Sequence, residues 1–469
     1  MIRTLTLLPT LVLTGGLALF AQPGAIDPTF DPGAGANDRL FCAALRPDGK
    51  LLVAGELTAF DGIQRNGLAR LNADGSLDTA FDPGDGPEFQ IYCLATQPDG
   101  KVLAGGQFNT YDGVPANMIV RLNPDGSVDN SFDTGTGADW IVLSIKLQPD
   151  GKILVGGNFL EFDGVPRSGI ARLNADGSLD TSFDPGAGLG STTGATGISA
   201  FLVQPDGRIV IGGSFNSYDG VPRNSIARIH ADGSLDTSFD PGTGAQFGFI
   251  GISDMALQPD GKIVLGGDFA VYDGVPRSYL ARVDADGGLD AGFLPGTGPD
   301  SWVNAIALQP DGKVVVGGFF NSFDDVLRNG LLRVNADGTL DGGFDTGTGM
   351  ALFDETVFDV VLQPDGKVLA AGEFTVYDGT PRNHIVRVEG GVLTAVPMQD
   401  AGEEVSFAWP NPAERTLFLS RPASGVVCDA QGRVLMHFQR EMQLDLSGLV
   451  PGRYVLRTDD GRVQSIVRQ

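Results

Sequence analysis

The chain has 469 residues, a formal net charge of −26 and a pI near 4.3. An acidic excess of this size argues against a nucleic-acid partner, because a phosphate backbone is bound through clustered Lys and Arg. Much of the acidity is Asp in Asp-Gly turns, where the side chain bonds to the local backbone. The net charge therefore argues against nucleic acids as partners, but it does not indicate a function.

Residues 1–21 have the pattern of a secretory signal peptide. An early Arg3 precedes an apolar stretch from Leu5 to Phe20, and the small residue Ala21 stands before Gln22. No other stretch is continuously apolar over the ~18 residues that a membrane span requires. We therefore expect the mature chain to leave the cytoplasm and to carry no transmembrane segment.

A Pro-Asp-Gly triplet marks a unit that recurs seven times, at intervals of 51 to 56 residues. Its prolines are Pro47, Pro98, Pro149, Pro205, Pro259, Pro310 and Pro364. Repeats of roughly 40 to 50 residues are typical of propeller arrays rather than of shorter solenoid repeats.

Each unit contains four predicted strands, called a to d. In the third unit, Ile141 to Gln148 and Lys152 to Phe159 flank one Asp-Gly hairpin, and Gly169 to Asn174 and Ser178 to Phe183 flank a second. A turn-rich segment separates the two pairs, and apolar residues at helical spacing are absent over three turns. The sequence thus predicts an all-β fold in which residues 22–388 form a seven-bladed β-propeller.

The seventh unit has no strand d after Val388. A matching segment instead stands at the start of the mature chain, where Ile26 to Gly33 corresponds to Leu179 to Gly186. We expect this N-terminal strand to complete the last blade and close the ring, which hides the exposed edges of a linear array. A short strand from Gly391 to Ala395 is the alternative.

The phrases LQPDGKILVGG, ARLNADGSLDTSF and YDGVPRN resemble the delta-60 repeat of secreted bacterial β-propellers. The resemblance covers about Ile26 to Val388. It implies a propeller, and it carries over no catalytic residues because that family has no settled catalytic activity.

Residues 389–403 contain Gly390, Gly391 and Pro397 and are typical of a linker. Short alternating runs in residues 404–469 then predict a small β-sandwich of about seven strands.

Three segments of this C-terminal region resemble the type A sorting domain of the type IX secretion system. They are Trp409-Pro410-Asn411-Pro412-Ala413, Leu444 to Arg457 with Gly452 and Tyr454, and the ending Ile466 to Gln469. The family usually has Tyr in place of Trp409. The resemblance implies that the type IX machinery carries the protein across the outer membrane of a Gram-negative bacterium, for surface display or release. A plain accessory sandwich is the alternative.

Two sets of charges recur on strands c and d and are predicted to pair across the hairpin. They are Arg70, Arg121, Arg172, Arg228, Arg282, Arg333 and Arg387 on strand c, and Asp27, Asp78, Asp129, Asp180, Asp236, Asp290 and Asp341 on strand d. A further set in the b–c segments is Arg65, Arg167, Arg223, Arg277, Arg328 and Arg382. Each follows an Asp-Gly pair that we expect to neutralise it, with an arginine ring for an anionic glycan as the alternative.

The b–c and d–a connections share one face of a propeller, and the variable d–a loops carry aromatic residues. These are Phe89, Trp140, Phe247, Phe249, Trp302 and Phe353. Aromatic faces near Arg167, Arg223 and Arg277 suit sugar rings or peptide side chains. The alternative is that the aromatic residues plug the ring or pack between blades.

Catalytic and metal-binding patterns are sparse. Asp254, Asp359 and Lys146 are the only non-repeated candidates for acid–base chemistry on the inner strands, where solvation in the central channel is the alternative. Cys42 and Cys93 occupy equivalent positions of adjacent units, as buried thiols or as a disulfide. No cofactor or metal is predicted, because Asn72-Ala73-Asp74 and its equivalents fit a hairpin turn better than a calcium loop.

These observations predict a monomeric binding protein, secreted or displayed at the cell surface. It would contact a glycan, a protein or a matrix component through its loop-rich face. A glycan-acting hydrolase or lyase on the same scaffold is the alternative.

Overall fold

The computed structural model describes residues 22–468 except 192–195, 247, 249, 351–354, 392–407, 410–415, 429–433, 448, 450–451 and 459–462, and gives only the backbone for part of the C-terminal strands. The chain divides into two compact units, Met1–Met398 and Gln399–Gln469. Among the described residues, no helix is long and apolar enough to cross a bilayer.

Seven three-stranded antiparallel sheets with the order a-b-c form the blades of the first unit. Strand a is Leu40–Leu45, Gln90–Thr96, Val142–Leu147, Gly197–Val203, Gly251–Leu257, Val303–Leu308 and Thr356–Leu362. Strand b is Leu51–Gly55, Val102–Gln107, Ile153–Gly157, Ile209–Ser214, Ile263–Asp268, Val314–Gly318 and Val368–Glu373. Strand c is Leu68–Leu71, Ile119–Leu122, Ile170–Leu173, Ile226–Ile229, Leu280–Val283, Leu331–Val334 and Ile385–Val388. The expected seven-bladed propeller is confirmed.

Strand d is shorter than predicted, because it is reduced to one bridging residue in each blade. In the third blade Leu179 bridges Leu173, and the chain then turns. Asp180 causes the turn, since its Oδ1 accepts hydrogen bonds from the amide of Ser182 at 3.0 Å and from the Ser182 hydroxyl at 2.7 Å. A side chain that satisfies the backbone locally in this way competes with the ladder of a strand.

The b–c segments also differ from the prediction, because each contains a small hairpin rather than turns alone. The hairpins are Ala59–Phe60 with Ile63–Gln64, Thr110–Tyr111 with Val114–Pro115, Glu161–Phe162 with Val165–Pro166, Ser217–Tyr218 with Val221–Pro222, Val271–Tyr272 with Val275–Pro276, Ser322–Phe323 with Val326–Leu327, and Val376–Tyr377 with Thr380–Pro381. Leu189–Gly190 and Ala245–Gln246 add a third strand to two of them.

The core lies between neighbouring blades. Strand b is buried along almost its whole length, and its apolar side chains alternate between the preceding blade and the next one. In one cluster, Leu154 and Ile170 of blade 3 pack with Ile198, Phe201 and Ile211 of blade 4. Because each blade buries its faces only against its neighbours, the complete ring stabilises every blade.

The N-terminal segment completes blade 7, as predicted. Ile26 bridges Val388, Gly24 N donates to Glu389 O at 2.7 Å, and Asp27 N donates to Arg387 O at 2.8 Å. The position of strand d beside Val388 is therefore filled by Ile26 rather than by the alternative segment, of which residues 392–395 lie outside the described residues.

The second unit is a separate β structure. Its described strands are Ala408–Trp409, Thr416–Cys428, Val434–Asp445, Gly452–Thr458 and Val463–Arg468, which pair in one five-stranded sheet. Several predicted short strands are parts of the two long ones, whose pairing shifts register between Phe418 and Ala423. Six described side chains form its apolar core, namely Val427, Phe438, Leu444, Leu446, Tyr454 and Leu456.

Candidate functional site

The repeated charges on strands c and d tie neighbouring blades together. In blade 4, Arg228 Nε donates to Asp236 Oδ2 at 2.7 Å, and the guanidinium lies 5.0 Å from the ring centroid of Phe239. Arg228 Nη1 also donates to the carbonyl of Ala285 in blade 5 at 2.6 Å. The same pair and the same bond to the next blade recur in all seven blades, so these residues are structural.

The arginines of the b–c segments do not pair with the preceding aspartates, which corrects the expectation. Asp163 has φ +50° and its Oδ1 accepts the amide of Thr136 at 3.0 Å, so the carboxylate faces the d–a loop. Arg167 Nη1 instead donates to the carbonyl of Pro166 at 2.9 Å. Arg223 and Arg277 repeat this arrangement, and the described residues contain no ion pair to any of the three.

The hydrogen bond between the b–c Asp and the d–a loop also shows which connections share one face of the propeller. Because the b–c Asp binds the backbone of the d–a loop in every blade, the two kinds of connection lie side by side. We call this surface the loop-rich face. The short hairpins at Pro-Asp-Gly and between strands c and d lie at the opposite end of the blades and form the hairpin face.

Three of the predicted aromatic residues are exposed on the d–a loops. Phe89 and Trp140 occupy equivalent positions of blades 2 and 3 and are 57% and 52% exposed. Trp302 in blade 6 is 40% exposed, and its ring centroid lies 6.2 Å from that of Phe319. Phe247, Phe249 and Phe353 lie outside the described residues.

The acid–base candidates stand on strand a of different blades. Asp254 Oδ2 accepts the amide of Ile306 in blade 6 at 2.7 Å, and its Oδ1 accepts the amide of Met255 at 2.8 Å. Asp359 Oδ2 accepts the amide of Ala43 in blade 1 at 2.8 Å. Each carboxylate thus joins its blade to the next one.

Burial raises the pKa of Asp254 to about 7, although the hydrogen bonds from the amides of Ile306 and Met255 oppose the rise. The charge of Asp359 raises the pKa further by a smaller amount, and that of Lys146 lowers it. Burial also raises the pKa of Asp359. Lys146 is exposed on blade 3, and no hydrogen bond or ion pair between described atoms joins two of these three residues. The structure places them on blades 3, 5 and 7, so that no two of them lie on adjacent blades.

A bulge in every strand a points one extra residue toward the channel, a feature that the sequence reasoning missed. In blade 1, Leu40 of strand a pairs with Gly55 of strand b, and the next pair is Cys42 with Ala54. The residue between Leu40 and Cys42 therefore has no partner on strand b. The skipped residues are Phe41, Tyr92, Leu143, Ser199, Ser253, Asn304 and Phe358. All seven are partly exposed, and bulges of this kind re-aim side chains near functional sites.

Six of these seven residues form two sides of the ring, and Leu143 of blade 3 stands between the two sides. Phe41 lies between Tyr92 and Phe358, with ring centroids 5.2 and 5.3 Å away, so blades 7, 1 and 2 form an aromatic arc. The other side is a polar arc of Ser199, Ser253 and Asn304. The residue six positions before each Pro-Asp-Gly proline changes from aromatic to polar around the ring in the same order. This variation is the sequence signal that could have predicted the aromatic arc.

The comparison with protein-family models assigns the repeat. The model described as a domain of unknown function (DUF5122) beta-propeller matches seven segments that together make up more than half of the chain. They are residues 46–81, 97–132, 148–183, 204–239, 258–293, 309–344 and 363–389. The chain belongs to the DUF5122 β-propeller family.

Solved structures similar to this DUF5122 propeller share little of its sequence. PorZ, a surface component of the type IX secretion system of Porphyromonas gingivalis, is 14% identical with a TM-score of 0.37, and the match covers 90% of this chain and 64% of PorZ. The extracellular domain of the putative hybrid two-component system BT3049 from B. thetaiotaomicron is 11% identical with a TM-score of 0.45, covering 95% and 57%. The chain thus spans less than two thirds of both structures, and no curated protein matches it.

The other features of the DUF5122 propeller have local structural explanations. Cys42 and Cys93 are free thiols, and burial raises the pKa of both. The described residues contain no group of three His, Cys, Asp or Glu side chains placed to hold a metal ion. Asp74 Oδ1 accepts the amide of Ser76 at 3.0 Å, as a hairpin turn requires.

One cleft of about 480 Å³ opens on the hairpin face among blades 3, 4 and 5. Leu147, Gln148, Val203 and Leu257 line it together with Arg172, whose guanidinium already binds Asp180 at 2.7 Å. The residues that line this cleft have equivalents in the other blades. The cleft is therefore not a place where the residues of one blade differ from those of the rest, as a specific binding site would require.

The sorting-motif residues are described only in part. Trp409 pairs with Phe418 at the sheet edge, Gly452 begins a strand, and Tyr454 is buried in the core of the second unit. Pro410, Asn411 and Pro412 lie outside the described residues.

Proposed function

We propose that this DUF5122 propeller is an extracellular, non-catalytic binding protein that engages a glycan, a protein or a matrix component through its loop-rich face. The observation that carries the proposal is the exposure of Phe89 and Trp140 at equivalent positions of adjacent blades. Large apolar side chains exposed side by side on a rigid scaffold are typical of interaction sites.

The repeated residues support the same proposal by elimination. The arginines and aspartates of strands c and d are engaged with each other and with the next blade. The carboxylates of Asp254 and Asp359 accept backbone amides from adjacent blades, which gives a glycan hydrolase or lyase built on them less support. Variable residues of the loop-rich face therefore remain as the ligand-contacting set.

A glycan and protein array probed with the mature chain tests the binding function. We expect Trp140→Ala and Trp302→Ala to lose captured ligands while Leu294→Ala, an exposed apolar residue beside the hairpin face, retains them. Full retention by both tryptophan variants would refute a role for the exposed aromatic faces.

Export is the second part of the proposal. Residues 1–21 would direct the chain out of the cytoplasm, and residues 404–469 would engage the type IX machinery for display or release. Removal of residues 404–469 should leave the propeller in the periplasm of a type IX-competent host. Unchanged appearance of the truncated chain at the surface or in the medium would show that the C-terminal unit is an accessory domain.

A further inference from the structure

We propose that the mouth of the central channel on the loop-rich face recognises a Lys or Arg side chain of a protein partner. This inference rests on the proposed binding function and names the chemistry of the ligand. The site consists of the aromatic arc (Phe358, Phe41 and Tyr92), the charged residues beside it and the polar arc opposite. It is built from the residues in which the seven blades differ.

The aromatic arc offers ring surface to the channel. The rings of Phe41 and Tyr92 are tilted by 39°, those of Phe41 and Phe358 meet edge to face at 65°, and all three side chains are partly exposed. Aromatic faces attract ammonium and guanidinium groups through the ring quadrupole, most strongly where water is partly excluded. A channel wall meets that condition better than an open surface does.

Carboxylates outnumber cations beside this arc. Arg39 Nε lies 2.7 Å from Glu56 Oε2, and Arg39 Nη1 lies 3.4 Å from Glu373 Oε2. Gln90 Nε2 donates to the second oxygen of Glu56, and the hydroxyl of Tyr92 donates to Gln90 Oε1. Two glutamates therefore share one guanidinium. The hydrogen bonds from Glu56 through Gln90 extend to Tyr92 of the aromatic arc.

Deeper positions of the channel are also acidic. Asp359 follows Phe358 on the same strand, and Asp254 follows Ser253 on the other side. Each carboxylate accepts two backbone amides, which leaves further acceptor positions on its oxygens. A long cationic side chain that entered between the two arcs would move toward these carboxylates.

Charge selects a basic side chain over the other ligands that aromatic residues bind. The chain carries a net charge of −26, so its field attracts cations and repels anionic glycans or phosphates. A neutral sugar would use the rings but would gain little from the paired carboxylates. Ser199, Ser253 and Asn304 supply oxygen acceptors for the N–H groups of an entering ammonium or guanidinium.

The test uses the full mature chain and three fluorescent Gly-Ser peptides that carry two lysines, two arginines or two glutamates. The first variant combines Phe41→Ser with Phe358→Ser, because serine already occupies this bulge position in blades 4 and 5. The second is Arg39→Gln, which removes the cation between Glu56 and Glu373. Leu294→Ala, at the exposed residue beside the hairpin face, is the control, and thermal melting checks the fold of each variant.

We expect the basic peptides to bind more tightly than the glutamate peptide, with affinity that falls as salt is raised. The double serine variant should bind them at least about tenfold more weakly, a change that two cation–π contacts can supply. Arg39→Gln should bind them more tightly, by a factor of about three or more. Weak binding of basic peptides elsewhere on the acidic surface should persist in all variants.

Equal binding of the lysine and glutamate peptides, or unchanged affinity in both channel variants, would overturn the assignment. If the array then still captures a ligand whose binding depends on Trp140, the proposed binding function is supported and only the specificity for a basic side chain is wrong. If the array captures nothing, the binding function fails as well, so the two failures are distinguishable.

Discussion

The carboxylate of Asp27 accepts a hydrogen bond from Arg387 Nε at 2.6 Å, although 360 positions separate the two residues in the chain. Lys367 Nζ donates to the same oxygen at 2.8 Å, and the hydroxyl of Tyr377 donates to the carbonyl of Gly24 at 2.7 Å. The two ends of the propeller are therefore held together by buried polar contacts. No covalent bond reinforces this contact among the described residues.

A chain that starts at Arg39 should be markedly less stable. It would lose the backbone bonds of Gly24 and Asp27 to blade 7 and would leave Arg387 buried without its carboxylate, which costs about 3–5 kcal/mol. We expect the melting temperature to fall on the order of 10 °C. Scanning calorimetry with the intact mature chain as control checks this, and an unchanged melt would contradict the closure of the ring.

The blade-to-blade arginines should not tolerate lysine. In Arg228→Lys, one ammonium cannot reproduce the bonds to Asp236, Ser238 and the carbonyl of Ala285 or the stacking on Phe239. We expect a loss of about 2–4 kcal/mol in the free energy of unfolding.

Arg223→Lys is the matched control, because among the described residues that side chain donates to the carbonyl of Pro222 and to no residue of another blade. It should change the free energy of unfolding by less than about 1 kcal/mol. Urea titrations of both variants decide the matter, and equal losses would mean that the inter-blade bonds of Arg228 contribute little.

Much of the propeller could be predicted because its units can be compared with each other. The recurrence of Arg on strand c and Asp on strand d pointed to cross-strand pairs, and the missing strand d after Val388 pointed to Asp27. Strand d itself was overpredicted, since periodicity does not show that Asp180 will bind the amide of Ser182 and turn the chain.

The candidate site was less accessible to sequence reasoning. Whether Asp163 neutralises Arg167 depends on a left-handed backbone conformation that turns its carboxylate toward the d–a loop. The convergence of Phe41, Tyr92 and Phe358 depends on the register shift in strand a, which arises from pairing with strand b rather than from the residues themselves. Only the variation at that position from blade to blade was visible in advance.

Acid should destabilise the ring steeply. Burial alone would raise the pKa of Asp78, but hydrogen bonds from Lys50 and Arg70 outweigh it and lower the pKa to about 2. Because this value lies below the unfolded value of about 3.9, the stabilisation is complete above about pH 5 and is lost as the pH falls toward 2. The pKa values of Asp236 and Asp290 are lowered to about 2 in the same way.

We therefore expect the urea midpoint to fall strongly between pH 6 and pH 3. Asp78→Asn should start from a lower stability and lose about 1–2 kcal/mol less over this range, because one titrating carboxylate is removed. Parallel titration curves for the two proteins would show that Asp78 does not contribute to acid unfolding.

Asp254 should give the opposite pH dependence. Its folded-state pKa of about 7 lies above the unfolded value of about 3.9, so the folded chain binds the additional proton between these two values. The contribution of this side chain to stability is therefore complete below about pH 4 and is lost as the pH rises through 7. Alanine already occupies the equivalent position in blades 4 and 6, at Ala200 and Ala305, so Asp254→Ala fits the strand.

The stability advantage of the native chain over Asp254→Ala should accordingly be larger at pH 5 than at pH 8. We expect a difference of about 1–2 kcal/mol, less than the full shift implies because the side chain is partly exposed to the channel. Urea unfolding at the two pH values measures it. An advantage that grows from pH 5 to pH 8 would mean that Asp254 is ionised in the folded chain and that its bond to the amide of Ile306 is made by a carboxylate at every pH in this range.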